Sequence, residues 1–141
     1  MMGDKTMTSR IAAAFAIGLA WLGLAAPAQA LKSETQNGIP VVTGGVGVPE
    51  TQELHRMRFK HTLRVTTANT RTGKYLSDCR MVVATQAGRV LVDATPEGPM
   101  MLARLPAGYY WLRATCNGRT QERVVLVVPE KYVTDSVFYW D

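Results

Sequence analysis

Leu105-Pro106-Ala107-Gly108-Tyr109-Tyr110-Trp111-Leu112-Arg113-Ala114-Thr115-Cys116-Asn117-Gly118-Arg119 carries the strongest local signal in the chain. A Pro-Ala-Gly turn opens it, an aromatic strand-like run follows, and Asn117-Gly118 closes it. Asn-Gly between two such runs specifies a tight hairpin, because both central turn residues need φ > 0. A two-residue turn also fixes the register with Arg119 to Val128. Cys116 then faces Arg119, Thr115 faces Thr120, Arg113 faces Glu122, Trp111 faces Val124 and Tyr109 faces Leu126. The last four are favourable cross-strand pairs, and all lie on one face. Tyr109, Trp111, Val124 and Leu126 therefore form an apolar patch on one face of the hairpin. The other face carries Tyr110, Leu112, Ala114 and Cys116 opposite Gln121, Arg123, Val125 and Val127, and reads as the core face. Arg123 fits that face only if it lies near an edge.

Period-two alternation extends in both directions from the hairpin. Runs starting at Thr62, Cys79, Val90 and Met101, the two hairpin arms, and Tyr132 to Trp140 read as seven short strands. Gly73, Ala87-Gly88, Pro96-Glu97-Gly98-Pro99, Pro106-Ala107-Gly108 and Pro129-Glu130-Lys131 separate them. Short strands at regular spacing with turn residues between them indicate an all-β sandwich, here over residues 62–141. Residues 49–58 read as a short helix. Pro49 suits a first turn, Glu50 and Glu53 open it, Arg56 and Arg58 close it, and Leu54 and Met57 give one apolar stripe. Residues 31–61, apart from this helix, read as a flexible arm.

The N-terminus has a different character. Lys5 and Arg10 precede an apolar run from Ile11 to Ala26, followed by Pro27 and Ala28-Gln29-Ala30. That is the pattern of a secretory signal peptide over residues 1–30, cleaved before Leu31. The apolar run is short for a membrane span, which needs roughly 20 residues, so no transmembrane segment is expected after cleavage. Export places the mature chain in the periplasm or outside the cell. In such an oxidising compartment the only two cysteines, Cys79 and Cys116, read as a disulfide. Net charge is +5 among 141 residues, with the basic residues spread along the chain. No basic run is long enough to be a nucleic-acid footprint.

Cys79-x-Met81-x-Val83, Glu97-Gly98, Leu105-Pro106-Ala107-Gly108-x-Tyr110-x-Leu112-x-Ala114 and the Asn-Gly after it are similar to the carboxypeptidase regulatory-like domain. This family has a prealbumin-like (transthyretin-like) β-sandwich and is found in small exported bacterial proteins. The resemblance covers about Leu63 to Val128 and implies an accessory or structural module without catalysis. It also implies that the second and fifth strands are antiparallel neighbours, which would let Cys79 and Cys116 face each other. Cysteines at these two positions depart from the ordinary core residues expected there.

No constellation points to catalysis, a cofactor or a metal. His55 and His61 read as surface histidines on uncertain backbone, with no thiol or carboxylate cluster beside them. Ser77 and Ser136 lack a nucleophile-elbow context. Gly44-Gly45-Val46-Gly47 lacks the strand before and the Lys-Ser/Thr after that a phosphate loop requires. The hydroxyisourate hydrolases of the prealbumin-like fold resemble this chain in neither their C-terminal Tyr-Arg-Gly-Ser nor their sheet histidines. Two non-catalytic functions remain alongside an unsupported enzyme reading. One is binding to a protein or cell-envelope partner. The alternative is a carbohydrate-binding module using Tyr109 and Trp111. The patch itself is expected either to lie under the 49–58 helix as a satellite core or to stand open with Trp111 as an anchor.

Overall fold

A computed structural model describes residues 31–141, and the leader read over residues 1–30 lies outside the described residues. The chain forms two sheets with a helix on one outer face. Its strands are β1 (Lys32–Gln36), β2 (Ile39–Gly44), β3 (Leu63–Asn69), β4 (Arg80–Thr85), β5 (Val90–Ala94), β6 (Met100–Ala103), β7 (Gly108–Cys116), β8 (Arg119–Val127) and β9 (Thr134–Trp140). One sheet has the order β1-β2-β6-β3-β9, with β3 and β9 parallel; the other has the order β5-β4-β7-β8 and is antiparallel. The seven expected strands correspond to β3 through β9.

The β7–β8 hairpin pairs Cys116 with Arg119 and continues in that register to Gly108 with Val127. Asn117 and Gly118 take φ of 50° and 77°, as this turn requires. Before it, the Tyr110 hydroxyl donates to the Pro106 carbonyl at 2.7 Å. This is a tyrosine corner, which pins a Greek-key connection to the start of its strand. Burial pushes the Tyr110 phenol above its ordinary pKa. Tyr110→Phe is expected to lower stability by about 1 kcal/mol, the net worth of one such hydrogen bond. Urea titration checks this, and an unchanged midpoint would mean that the corner is held by packing alone.

Residues 31–48 are not a flexible arm. They form a second Asn-Gly hairpin, with Asn37 and Gly38 at φ 49° and 80° and β2 paired to β6. Among the described residues the sandwich therefore has nine strands rather than seven, the first of them Lys32–Gln36. The helix, α1, spans Gly47–Met57, close to the expected 49–58. Glu50 Oε1 accepts from the Gly45 and Val46 amides at its start, and Thr51 Oγ1 donates to the Gly47 carbonyl at 2.8 Å.

The main core lies between the sheets. It includes Val41, Leu63, Val65, Met81, Val83, Met101, Leu112, Val127 and Phe138. A second, smaller core lies under α1, where Leu54 packs with Val42, Met100 and Leu102 on the outer face of the five-stranded sheet. Both faces of β6 are thus covered, which is why Met100-Met101-Leu102-Ala103 is an unbroken apolar run. At the mouth of this region a Cβ on Gly98 would collide with the Gly44 carbonyl, so only glycine lets the 96–99 turn cross there.

Side chains bridge the sandwich along both sides. On one, Gln121 and Arg123 of β8 donate to the carbonyls of Tyr139 and Val137 in β9, and Arg119 donates to that of Asp141 just past it. Trp140 and Thr134 return hydrogen bonds to Arg119 and Leu126 carbonyls. On the other side Gln36 exchanges two hydrogen bonds with the Asp93 backbone, and Asn37 donates to the Leu91 carbonyl. Edge strands are otherwise templates for unwanted pairing.

Candidate functional site

The outer face of the four-stranded sheet is built in rows by the register. Trp111 lies between Ala84 of β4 and Val124 of β8, and Ala84 pairs in turn with Val90 of β5. Tyr109 and Leu126 form the next row toward the Pro106 turn. All four residues of the expected patch are solvent-exposed: Tyr109 54%, Trp111 42%, Val124 45% and Leu126 39%, with Val90 at 47% beside them. The helix does not cover them. Leu54 and Met57 are spent on the opposite sheet, so the expectation of a satellite core beneath α1 at this patch is corrected. The cause is that β2, absent from the sequence reading, offers Val42 to the helix next to Met100 and Leu102 of β6.

A shallow depression of about 250 Å³ adjoins Trp111, lined also by Val82, Ala84, Gly88, Val90, Arg113 and Glu122. Arg113 Nε donates to Glu122 Oε1 at 3.0 Å along one margin. Beyond it Arg80 and Asp93 form a second ion pair at 2.6 Å, and Thr115 and Thr120 share a hydroxyl hydrogen bond. The face is thus apolar toward the Pro106 turn and ionic across its middle. The hydrogen bond from Arg80 holds the Asp93 carboxyl below its ordinary pKa. That contribution to stability is present above the ordinary carboxylate value and is lost as pH falls through the depressed one.

A larger cleft of about 940 Å³ lies between β1 and β5, where Lys32 sits among Glu34, Glu50, Asp78, Asp93 and Glu97. No local pattern marks it, since these residues come from two strands, the helix and two loops. Several of its carboxylates already have partners. Asp93 binds Arg80, Glu50 caps α1 and Glu34 accepts from Gln36. It is a solvated polar seam, and the apolar face is the better binding surface despite its smaller depression.

Cys79 and Cys116 form a disulfide with Cα atoms 4.6 Å apart. It lies where β4 and β7 run antiparallel, one step beyond the Arg80–Thr115 pair, and both cysteines are buried. His55 is exposed and contacts Arg64 at 3.0 Å. His61 is not a surface residue: it is buried at the end of the turn after α1, with Nδ1 3.0 Å from the Met57 carbonyl. Among the described residues no three His, Cys, Asp or Glu side chains gather as a metal-binding group. Also among the described residues, no helix is long and apolar enough to cross a membrane. Comparison with protein-family models finds no match, and comparison with curated proteins finds none either.

Proposed function

We propose that the chain is an exported, non-catalytic β-sandwich module of the periplasm or cell envelope that binds a protein partner through the outer face of β7 and β8. The observation that carries this reading is the open apolar face of Tyr109, Trp111, Val124 and Leu126. Contiguous apolar patches of this make-up are seldom left in water on a monomer, and exposed aromatic anchors dominate binding hot spots. The buried Cys79–Cys116 bond supports an oxidising compartment. The antiparallel pairing of β4 with β7 agrees with what a carboxypeptidase regulatory-like domain implies, and supports that resemblance.

Trp111→Ala tests the reading. Its stability is expected to fall by at most about 1 kcal/mol, the scale of a cross-strand pair, against about 3–5 kcal/mol for a fully buried aromatic. A photo-crosslinker at Val124 should trap a specific envelope protein, and Trp111→Ala should abolish that product. A crosslink that survives the substitution sinks the assignment.

A second reading takes the Tyr109–Trp111 plane as a platform for sugar rings. Trp140 is buried, so glycan-dependent quenching of indole fluorescence in the mature chain would report on Trp111. Quenching by soluble envelope glycans that vanishes in Trp111→Ala favours this reading over a protein partner.

A further inference from the structure

The basic residues look scattered along the sequence, but the fold gathers several at one end. Three segments meet there: residues 58–62 after α1, residues 104–107 between β6 and β7, and residues 128–133 between β8 and β9. Buried Thr62 ties them together. Its hydroxyl accepts from the Leu105 amide at 2.7 Å and donates to the Leu105 carbonyl at 2.9 Å, while its own carbonyl accepts from the Thr134 amide at 2.9 Å. These segments carry Arg58, Lys60, Arg104 and Lys131 against the single carboxylate Glu130. They also hold two aromatic rings in water: Phe59 is 74% exposed and Tyr132 51%. Phe59 is the most exposed large apolar side chain among the described residues, and the Arg58 guanidinium lies 4.7 Å from its ring centroid.

The carboxylates gather elsewhere. Glu50, Asp78 and Glu97 line the cleft where α1 begins, and Arg58 to Lys60 follow where it ends. The eight-residue step from Glu50 to Arg58 spans about 12 Å along the helix. Such a separation of charge orients a molecule toward a negative surface before contact.

We propose that this loop end docks reversibly on an anionic phospholipid surface, with Phe59 and Tyr132 entering the headgroup region and Arg58, Lys60, Arg104 and Lys131 facing lipid phosphates. Charge complementarity identifies the sign of the surface, and the exposed rings identify its kind. A phenyl ring held out in water gains when it reaches the boundary between headgroups and acyl chains, while a fully hydrated polyanion offers it no comparable burial. The site is distinct from the Trp111 face and does not depend on the function proposed for it.

The test uses the Leu31–Asp141 chain, which contains both sheets, the helix and the disulfide. It is expected to cosediment with phosphatidylcholine vesicles containing phosphatidylglycerol, to leave pure phosphatidylcholine vesicles unbound, and to be released by salt. Each cation near such a surface contributes about fivefold in affinity, so Arg58→Ala with Lys60→Ala should weaken binding about 25-fold. Phe59→Ala should weaken it about tenfold. Trp111→Ala should bind vesicles like the parent, which separates this site from the β7–β8 face. Phe59→Trp adds a readout independent of any loss of folding, because its emission should shift to the blue on anionic vesicles only. Equal binding to both vesicle types overturns the proposal, as do an unshifted Phe59→Trp emission or retention on soluble polyphosphate without retention on vesicles.

Discussion

Reducing the Cys79–Cys116 bond is expected to lower stability by about 3–4 kcal/mol, the chain-entropy value for closing a loop of 37 residues. A domain of this size has only about 5–15 kcal/mol in total, so the loss should be plain in a urea titration with and without reductant. The bond joins the start of β4 to the end of β7, the pair at the centre of the four-stranded sheet. It therefore restrains the same strands that present the Trp111 face. Reduced thiols keep the side-chain volume and lose only the cross-link. Cys79→Ala with Cys116→Ala loses packing as well, since both residues are buried, and should fall slightly below the reduced parent. Two midpoints within about 0.5 kcal/mol of the oxidised parent would show that the unfolded chain is not restrained by the bond. A drop of the expected size would also give the exported reading a physical basis, because the chain would reach its full stability only where the bond can form.

The parts legible in the sequence are those with a local, periodic signal. The β7–β8 register follows from Asn117-Gly118 and holds at every pair down to Gly108–Val127. The first hairpin carries the same dipeptide at Asn37-Gly38, yet its flanks hide it. Lys32 to Gln36 is an edge strand of polar, mostly exposed residues. Val41, Val42 and Thr43 are all buried, because β2 has the core on one face and α1 beside the other, so no alternation shows. The helix shows its apolar stripe but not its destination. Leu54 needs a docking surface, and local amphipathicity is equally satisfied by either sheet. The clue lay in Met100 to Ala103, whose four consecutive apolar residues imply cover on both faces. The outward face of Tyr109 and Trp111 was readable from period two alone. Its openness was not, since that depended on where α1 docks. The basic loop end was invisible for another reason: the segments that carry Arg58, Arg104 and Lys131 are distant in sequence and are joined only by tertiary hydrogen bonds around Thr62.

The bridged sides narrow the ways this molecule can meet another. β8 and β9 are laced by five side-chain-to-carbonyl hydrogen bonds, and β1 and β5 by the Gln36 and Asn37 contacts. Adding a foreign strand along β8 or β9 would first have to break that lacing. The open sheet face and the basic loop end remain exposed.

Arg123 was the residue that fitted the core face worst, and the structure gives it both polar and aromatic partners. It lies on edge strand β8, where one guanidinium nitrogen donates to Ser136 Oγ and to the Val137 carbonyl, both at 3.0 Å. Its Cζ sits 3.9 Å from the Phe138 ring centroid. Phe138 is fully buried and stacks on Trp140 at 6.0 Å. Phe138→Ala is accordingly expected to cost about 3–5 kcal/mol. Much of that is lost volume. Phe138→Leu keeps most of the volume and removes the π face, while Arg123→Met keeps the aliphatic stem and removes the charge. A double-mutant cycle on this pair, read by urea titration, should return a coupling of about 1–2 kcal/mol, the range for a partly desolvated cation on an aromatic face. A coupling near zero would mean that Ser136 and Val137 hold Arg123 by themselves, and that the ring beneath it serves only the core.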